Sequence, residues 1–560
     1  MYRAVLFLLL LLPVVGFSQK RNKAKPMPEP KAVYVFFLKD KQGGTFSLQH
    51  PEAYLSGYAL ERRARYKIAL DSTDLPVVPK YLKQIVAMGA KLHHSSKWLN
   101  AVGAECTESV AQKIMALGIV KYYYRLKNKP LKATMSVRSY LQKEPIAWDD
   151  IQPTEMLSDV QNNLLRIGKL HKLGFDGNTM RIAILDAGFY KVNVFEQLSD
   201  IYKDYRFLDS WDFVDNDSTV YNEGYHGLNV LSTMAAKQDG VFEGTAPEAS
   251  FAFYRTEDGG SENKIEEFNW VAAAERADSI GASLINSSLG YNNFDDTTAS
   301  YTWHNLDGQT ALSTLGANWA AKKGMLVVCS AGNSGDEDWK YITSPADSPW
   351  ALTVGGVSGS GSRVYFSSKG VPEMRTIKPD VMGLGIQVSV LSNTGVFEKS
   401  AGTSFSSPLV CGAVACLWQA FPEFNAQEII RAVQMSASKY YQPDFDYGYG
   451  IAHMDEAYDL LKWKRQCVKE FSLREHSVKL AQDWVLYLEF PDVKERAQAA
   501  SLRIFSALGK EITNKVSVAY NPDFGHLEVY IHQLPLGFYT YEYTVADKTT
   551  RGKLVNYERR

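Results

Sequence analysis

Between residues 160 and 460 the chain alternates short, almost unbroken apolar runs with longer helical patterns. "MRIAILD", "SFAFYR", "ASLINSSLG" and "MLVVCSAGN" read as strands. "NNLLRIGKLHKLGF", "GLNVLSTMAA", "IEEFNWVAAAERADSIG" and "STLGANWAAKKG" read as helices in the same stretch. A strand with one wet face would alternate apolar and polar residues; these runs do not, so both faces must be covered. The pattern predicts an α/β domain whose parallel sheet carries helices on both faces.

The flanks read differently. Ahead of this stretch come a strand ("AVYVFFL"), a helix ("VPKYLKQIVAMG"), two strands ("AKLHHSS", "LNAVGAEC"), a helix N-capped by Thr107 ("TESVAQKIMALG") and a strand ("VKYYYRL"). That β-α-β-β-α-β order is an α+β, ferredoxin-like unit. Behind it, "VLYLEF", "SLRIFSALGKEI", "LEVYI" and "FYTYEYTV" alternate as strands and suggest a small all-β sandwich. A chain of 560 residues has room for three or four such units at roughly 150 residues each. The expected divisions are a leader at 1–18, a linker and ferredoxin-like unit at 19–130, an exposed linker at 131–160, the α/β domain at 161–463 and the β unit at 464–560.

The leader reading rests on "MYRAVLFLLLLLPVVGFS". It has a basic Arg3, an apolar stretch too short to span a bilayer, and the small residues Gly16 and Ser18 ahead of a cut before Gln19. A short membrane anchor is the alternative; the leader reading places the protein outside the cytoplasm, secreted or on the cell surface. The formal net charge of -1 argues against nucleic acid as a partner. Five cysteines, an odd number, do not make a disulfide scaffold. Cys411 and Cys416 on one helix would be beyond the roughly 7 Å limit for bridging, so they read as small core side chains.

In open parallel sheets, ligands bind beyond the carboxyl ends of the strands. Asp186, Asn333 and the trio Ser288, Leu289 and Gly290 lie at such ends. "YHGLNV" sets His226 at the mouth of a helix, with Gly227 allowing close backbone approach. "GTSFSSP" sets Ser404 just before a helix whose first turn accepts Pro408. A serine hydroxyl becomes nucleophilic when an imidazole takes its proton, and that imidazole needs a buried carboxylate to fix its tautomer and stabilise its charge. The anion formed needs donors in place, such as a carboxamide and backbone N–H groups at a helix start. Singly, each of these residues has a structural reading as turn former, cap or packed side chain. Together they supply one group of each required type.

"ILDAGF", "HGLNVLSTMAA", "GTAPEA", "SLINSSLG", "VVCSAGNSG" and "GTSFSSP" resemble, in order, the blocks of the subtilisin-like serine proteases, peptidase family S8. "DYGYGIAHMDEA" resembles the segment that closes their catalytic domain. The resemblance implies a serine endopeptidase in which Asp186 orients His226, His226 is the base, and Ser404 attacks. Asn333 and the Ser404 backbone N–H would form the oxyanion hole, and Ser288, Leu289 and Gly290 would pair with an extended substrate peptide. Ser400, Ser406 and Ser407 are then structural.

The ferredoxin-like unit is similar to the inhibitory propeptides of this family in secreted Bacteroidetes proteins. It would act as intramolecular chaperone and plug, cut away near residues 130 to 155. The C-terminal strands resemble the sorting domains of the type IX secretion system, which makes that machinery a partner beside polypeptide substrates. The chemistry needs no cofactor. Structural calcium stays open, with the Asp- and aromatic-rich connection "YNNFDDTTASYTWHNLDGQTALSTLG" read either as a surface loop or as a rim or calcium loop.

Two blocks depart from the family pattern: "YHGLNV" lacks a second histidine, and "KPDVMGLG" stands where Ala-Pro-Gly is commoner. The rival from another class is a catalytically silent adhesion module on the same fold, against which the complete set of four groups counts. A lipase would want Gly-x-Ser-x-Gly, and "GTSFS" lacks the second glycine.

Overall fold

A computed structural model describes residues 29–127, 144–145, 156–374 and 376–469, with further segments between 475 and 556. The leader at 1–18 and most of the linker at 131–160 lie outside the described residues.

The N-terminal unit runs β1 (Lys31–Leu38), α1 (Gly57–Arg65), α2 (Pro79–Ala87), β2 (Lys91–Ser96), β3 (Ala101–Thr107), α3 (Glu108–Met115) and β4 (Val120–Lys127). Its sheet has the order β2-β3-β1-β4, antiparallel throughout. Thr107 caps α3 as expected, its side chain accepting from the Val110 N–H at 3.3 Å. The helix α1 is absent from the sequence reading. Its buried stripe is Ala59, Arg62 and Arg63, and two arginines do not register as a core face.

The central domain contributes β5 (Arg181–Asp186), β6 (Phe207–Asp212), α4 (His226–Ala235), β7 (Ser250–Arg255), α5 (Lys264–Ile280), β8 (Leu284–Ser287), α6 (Leu312–Lys322), β9 (Leu326–Ser330), β10 (Leu352–Val357), β11 (Val381–Leu384) and α7 (Thr403–Ala420). Seven parallel strands pair in the order β11-β10-β9-β8-β5-β7-β6, which bears out the α/β expectation. Three of these strands are new relative to the sequence reading. β6 is a half-exposed edge strand with polar residues, β10 carries Thr353 and two glycines, and β11 is four residues long with a glycine, so none shows a long apolar run.

The helical reading of 162–175 also needs correction. Two short helices, Asp159–Leu164 and Gly168–Lys172, are separated by Arg166 at φ 53°. α7 starts earlier than expected, so Ser404 lies inside it and Pro408 sits past its first turn. A last helix, Met454–Lys469, spans the expected boundary at residue 463. Past residue 475, the described strands form two antiparallel sheets of four and three strands.

Two apolar layers sandwich the central sheet. One holds Ile182, Ile184, Leu228, Leu231 and nearly all of α7, a helix apolar on every side because it is surrounded. The other holds Ala183, Leu185, Ile285, Phe268 and Trp270 and extends into the N-terminal unit through Val33, Val35 and Phe37. The opposite face of β1 (Ala32, Tyr34, Phe36, Leu38) packs under that unit's own helices. β1 is therefore apolar along both faces because two different domains cover it. Cys106, Cys329, Cys411 and Cys416 are free and buried.

Ile285 lies in the middle of β8 with no exposure. In a Ser404→Ala background, Ile285→Ala should destabilise the chain by about 2–5 kcal/mol in urea unfolding. A change below 0.5 kcal/mol, roughly the size of a neutral surface substitution, would contradict this placement.

Candidate active site

Asp186, the last residue of β5, is fully buried near the middle of the sheet. Its Oδ1 accepts from the Ala187 N–H at 2.7 Å and lies 2.7 Å from His226 Nδ1. His226 opens α4, and that helix can start so close to β5 because of two glycines. The Gly227 N–H donates to the Gly188 carbonyl at 3.0 Å, and a Cβ at Gly227 would lie 2.5 Å from that oxygen. Burial works against a charged His226. The charge and hydrogen bond of Asp186, with the more distant charge of Glu257, outweigh it and raise the imidazole above the ordinary histidine range.

Ser404 is the second residue of α7, which begins after Gly402 at φ 148°. Its Oγ lies 3.4 Å from the Ser288 carbonyl, and the ring of Phe405 stands 6.0 Å from the His226 ring between centroids. No hydrogen bond joins Ser404 Oγ to His226 among the described residues; such contacts commonly tighten only when substrate is bound. The Ser404 N–H belongs to the first turn, where helical donors have no intrahelical acceptor.

Asn333 follows β9. Its Oδ1 accepts both the Thr403 N–H and the Thr403 hydroxyl at 2.9 Å, which orients the carboxamide. The Nδ2 end is thereby turned toward the start of α7, where a Cβ on Gly402 would lie 3.6 Å from it. The structure thus gathers an imidazole, a carboxylate, a serine hydroxyl and a carboxamide around one helix start.

Ser288 connects this site to its wall. Pro408 has no N–H to offer the carbonyl four residues before it, which is that of Ser404. Ser288 Oγ donates to that carbonyl instead, at 2.8 Å. Ser288 Oγ also accepts from Asn286 Nδ2 at 3.1 Å, and Asn286 Oδ1 accepts from Ser407 Oγ at 2.9 Å. Ser406 donates to the Leu384 carbonyl at 3.0 Å, so Ser406 and Ser407 have internal partners. Leu289 packs against the second core, and Gly290 is pressed so close to Thr343 that a Cβ would lie 2.0 Å from its Oγ1.

Sequence reasoning missed several residues here. Thr403 fixes Asn333, and Asn286 anchors Ser288. Glu257, buried just beyond β7, accepts from Tyr291 Oη at 2.6 Å and Thr256 Oγ1 at 2.7 Å, and burial pushes its carboxyl up to about 7. The signal for Glu257 was its place in "TEDGG" directly after an apolar strand. In the connection after Tyr291, Asp296 accepts from Thr298 and Asp307 from Gln309 and Thr310 within their own turns, while Asp295 accepts from the Glu262 N–H at 3.2 Å. Among the described residues no three His, Cys, Asp or Glu side chains converge as a group that could hold a metal ion. Lys127 at the end of β4 reaches Asp258 Oδ2 at 3.1 Å. Glu144 and Pro145 run antiparallel beside Glu398 and Lys399, just ahead of α7.

Comparison with known proteins gives this arrangement a family. Residues 177–450 match the subtilase family, and residues 33–142 match the peptidase S8 propeptide domain of Bacteroidota. Subtilisin DY of Bacillus licheniformis is 27% identical over 52% of this chain and 96% of its own. Thermitase of Thermoactinomyces vulgaris is 29% identical over 47% of this chain and 83% of its own. Among solved structures, the epidermin leader peptide processing serine protease of Staphylococcus aureus covers 77% of this chain and all of its own at TM-score 0.52 and 17% identity, a likeness of fold. The chain belongs to the subtilase family. It is a subtilisin-family serine peptidase that carries a propeptide domain ahead of its α/β domain.

In the Ser404→Ala chain, the His226 imidazole should titrate above the ordinary histidine range when followed by NMR, and Asp186→Asn should lower its midpoint. An unchanged midpoint in Asp186→Asn would contradict the electrostatic coupling described above.

Proposed function

We propose that the chain is the zymogen of a secreted serine endopeptidase that cleaves peptide bonds through an acyl-enzyme on Ser404. The observation that supports this most directly is the 2.7 Å contact between the buried Asp186 and His226, one ring contact away from the Ser404 helix start. In this reading, Asp186 holds His226 with Nδ1 protonated, which leaves Nε2 free to take the Ser404 proton as Oγ attacks the substrate carbonyl. The oxyanion forms against the Ser404 N–H and Asn333 Nδ2, donors already fixed before the reaction. His226 then returns the proton to the leaving amine, and water repeats the sequence to release the acyl group. Ser288, Leu289 and Gly290 offer an edge for an extended peptide, and no cofactor takes part.

The propeptide domain would fold and then plug the catalytic domain until it is cut within about 130–160. The leader at 1–18 and a C-terminal sorting domain from 464 would carry the protein out of the cell, the latter through type IX secretion machinery.

Three measurements test this reading. In subtilisin, loss of the serine or the histidine costs about 2 × 10⁶ in kcat, and Ser404→Ala should likewise abolish both peptide hydrolysis and fluorophosphonate labelling. Retained hydrolysis would overturn the assignment. Asn333→Ala should lower kcat by about 10²–10³; a loss under about tenfold would place Asn333 outside the oxyanion hole. The base must be neutral, so kcat/KM should fall as pH drops through the raised His226 midpoint, and Glu257→Gln should move that acid limb to lower pH. An acid limb below the ordinary histidine range would contradict His226 as the base.

A further inference from the structure

The helix α1 of the propeptide domain lies across the C-terminal ends of two catalytic-domain helices, α5 and α6. Both ends close with a glycine in the left-handed region, Gly281 and Gly324, each at φ 86°. The bareness of these glycines is what lets α1 approach. A Cβ on Gly281 would lie 2.4 Å from Tyr58 Cβ, and one on Gly324 would lie 2.6 Å from Ile68 Cδ1. The first turn of α1 is joined to α5 by backbone, the Ser56 N–H donating to the Ser279 carbonyl at 2.8 Å.

Into the space between the two helix ends projects Arg62, buried with 7% exposure. Its Nε donates to the Lys323 carbonyl at 3.1 Å, one terminal nitrogen to the Ala282 carbonyl, and the other to the Asp278 carbonyl at 3.3 Å and the Asp278 carboxylate. Three main-chain carbonyls and a carboxylate thus face one planar fork of donors. Arg63 and Lys97 approach the same carboxylate from the propeptide side, at 2.9 and 3.2 Å. Asp74 of the propeptide domain answers with Lys323 of the catalytic domain at 2.9 Å. Burial alone would raise the Asp278 carboxyl, but Lys97, Arg62 and Arg63 outweigh it and hold it well below the usual carboxylate range. Asp186 lies toward the opposite end of α5: the Thr256 N–H donates to the Asp186 carbonyl, and the Asp258 N–H to Glu266 in the first turn of α5, each at 3.0 Å. At 17 residues and about 1.5 Å each, that end is roughly 25 Å away.

We infer that the catalytic domain carries a socket for one guanidinium at the paired C-termini of α5 and α6, remote from the cleft, and that Arg62 in this socket keeps the severed propeptide bound. The inference rests on the zymogen reading for its biological sense, while the contacts stand without it. A lysine cannot replace Arg62. A single ammonium does not span three carbonyls and a carboxylate set out for a fork, and those acceptors are left buried without donors. Cutting the chain past Lys127 leaves every one of these contacts in place, so release of the propeptide is a separate step from the cut.

The test uses the full chain with Ser404→Ala and a recognition site for an added protease placed within 128–143, so that the cut does not depend on the chain's own activity. After cutting, the time course of propeptide release is followed by size-exclusion chromatography. The propeptide with Arg62 should stay with the catalytic domain, and Arg62→Lys and Arg62→Gln should speed release about tenfold to a hundredfold. Either variant that folds is enough for the comparison. Release of both variants at the unsubstituted rate would overturn the socket. The peptidase reading fails on a different result, namely hydrolysis that survives Ser404→Ala in the uncut chain.

Discussion

A carboxylate with no exposure needs a partner, and the arrangement of the central domain provides one for Asp186 in His226. That single contact requires β5 to end near the middle of the sheet and α4 to begin within hydrogen-bond reach of it. It also requires Gly188 and Gly227 to let the two backbones nearly touch. Because β5 is flanked by β7 and β8, its end is fixed by strands on both sides, and β8 delivers Ser288 to the Ser404 carbonyl. The carboxylate is thus held by a strand end, and His226 and Ser404 by the first turns of two helices, rather than by long loops.

The helix α7 shows how a local rule is broken and compensated. Pro408 inside a helix leaves the Ser404 carbonyl without its usual donor, a loss that would ordinarily weaken or bend the helix. Ser288 fills the gap from the end of the neighbouring strand, so the defect in one element becomes the tie that sets the candidate nucleophile against the segment that follows β8. Two structural serines in the same short stretch take up other internal acceptors. Ser406 and Ser407 thus have separate hydrogen-bonding tasks within the stretch.

Much of this was legible in the sequence because the signals were apolar or glycine-based. Unbroken runs such as "RIAIL" and "MLVVCS" announce strands covered on both faces, and their polar ends announce the site. What escaped was carried by polar residues whose partners lie far along the chain. Arg62 and Arg63 look like a solvated basic pair until Asp278, more than two hundred positions later, is brought against them. Asn286, Thr403 and Glu257 act through hydrogen bonds that no periodicity reveals. The edge strand β6 and the glycine-containing β10 were hidden for the opposite reason: neighbours, and not their own composition, make them strands.

The central claim is that one serine among several in this stretch is the nucleophile. The most direct measurement is mass-spectrometric mapping of the adduct left by a fluorophosphonate on the processed enzyme. The adduct is expected on Ser404 Oγ alone; an adduct on Ser400, Ser406 or Ser407, or none on this stretch, would contradict it.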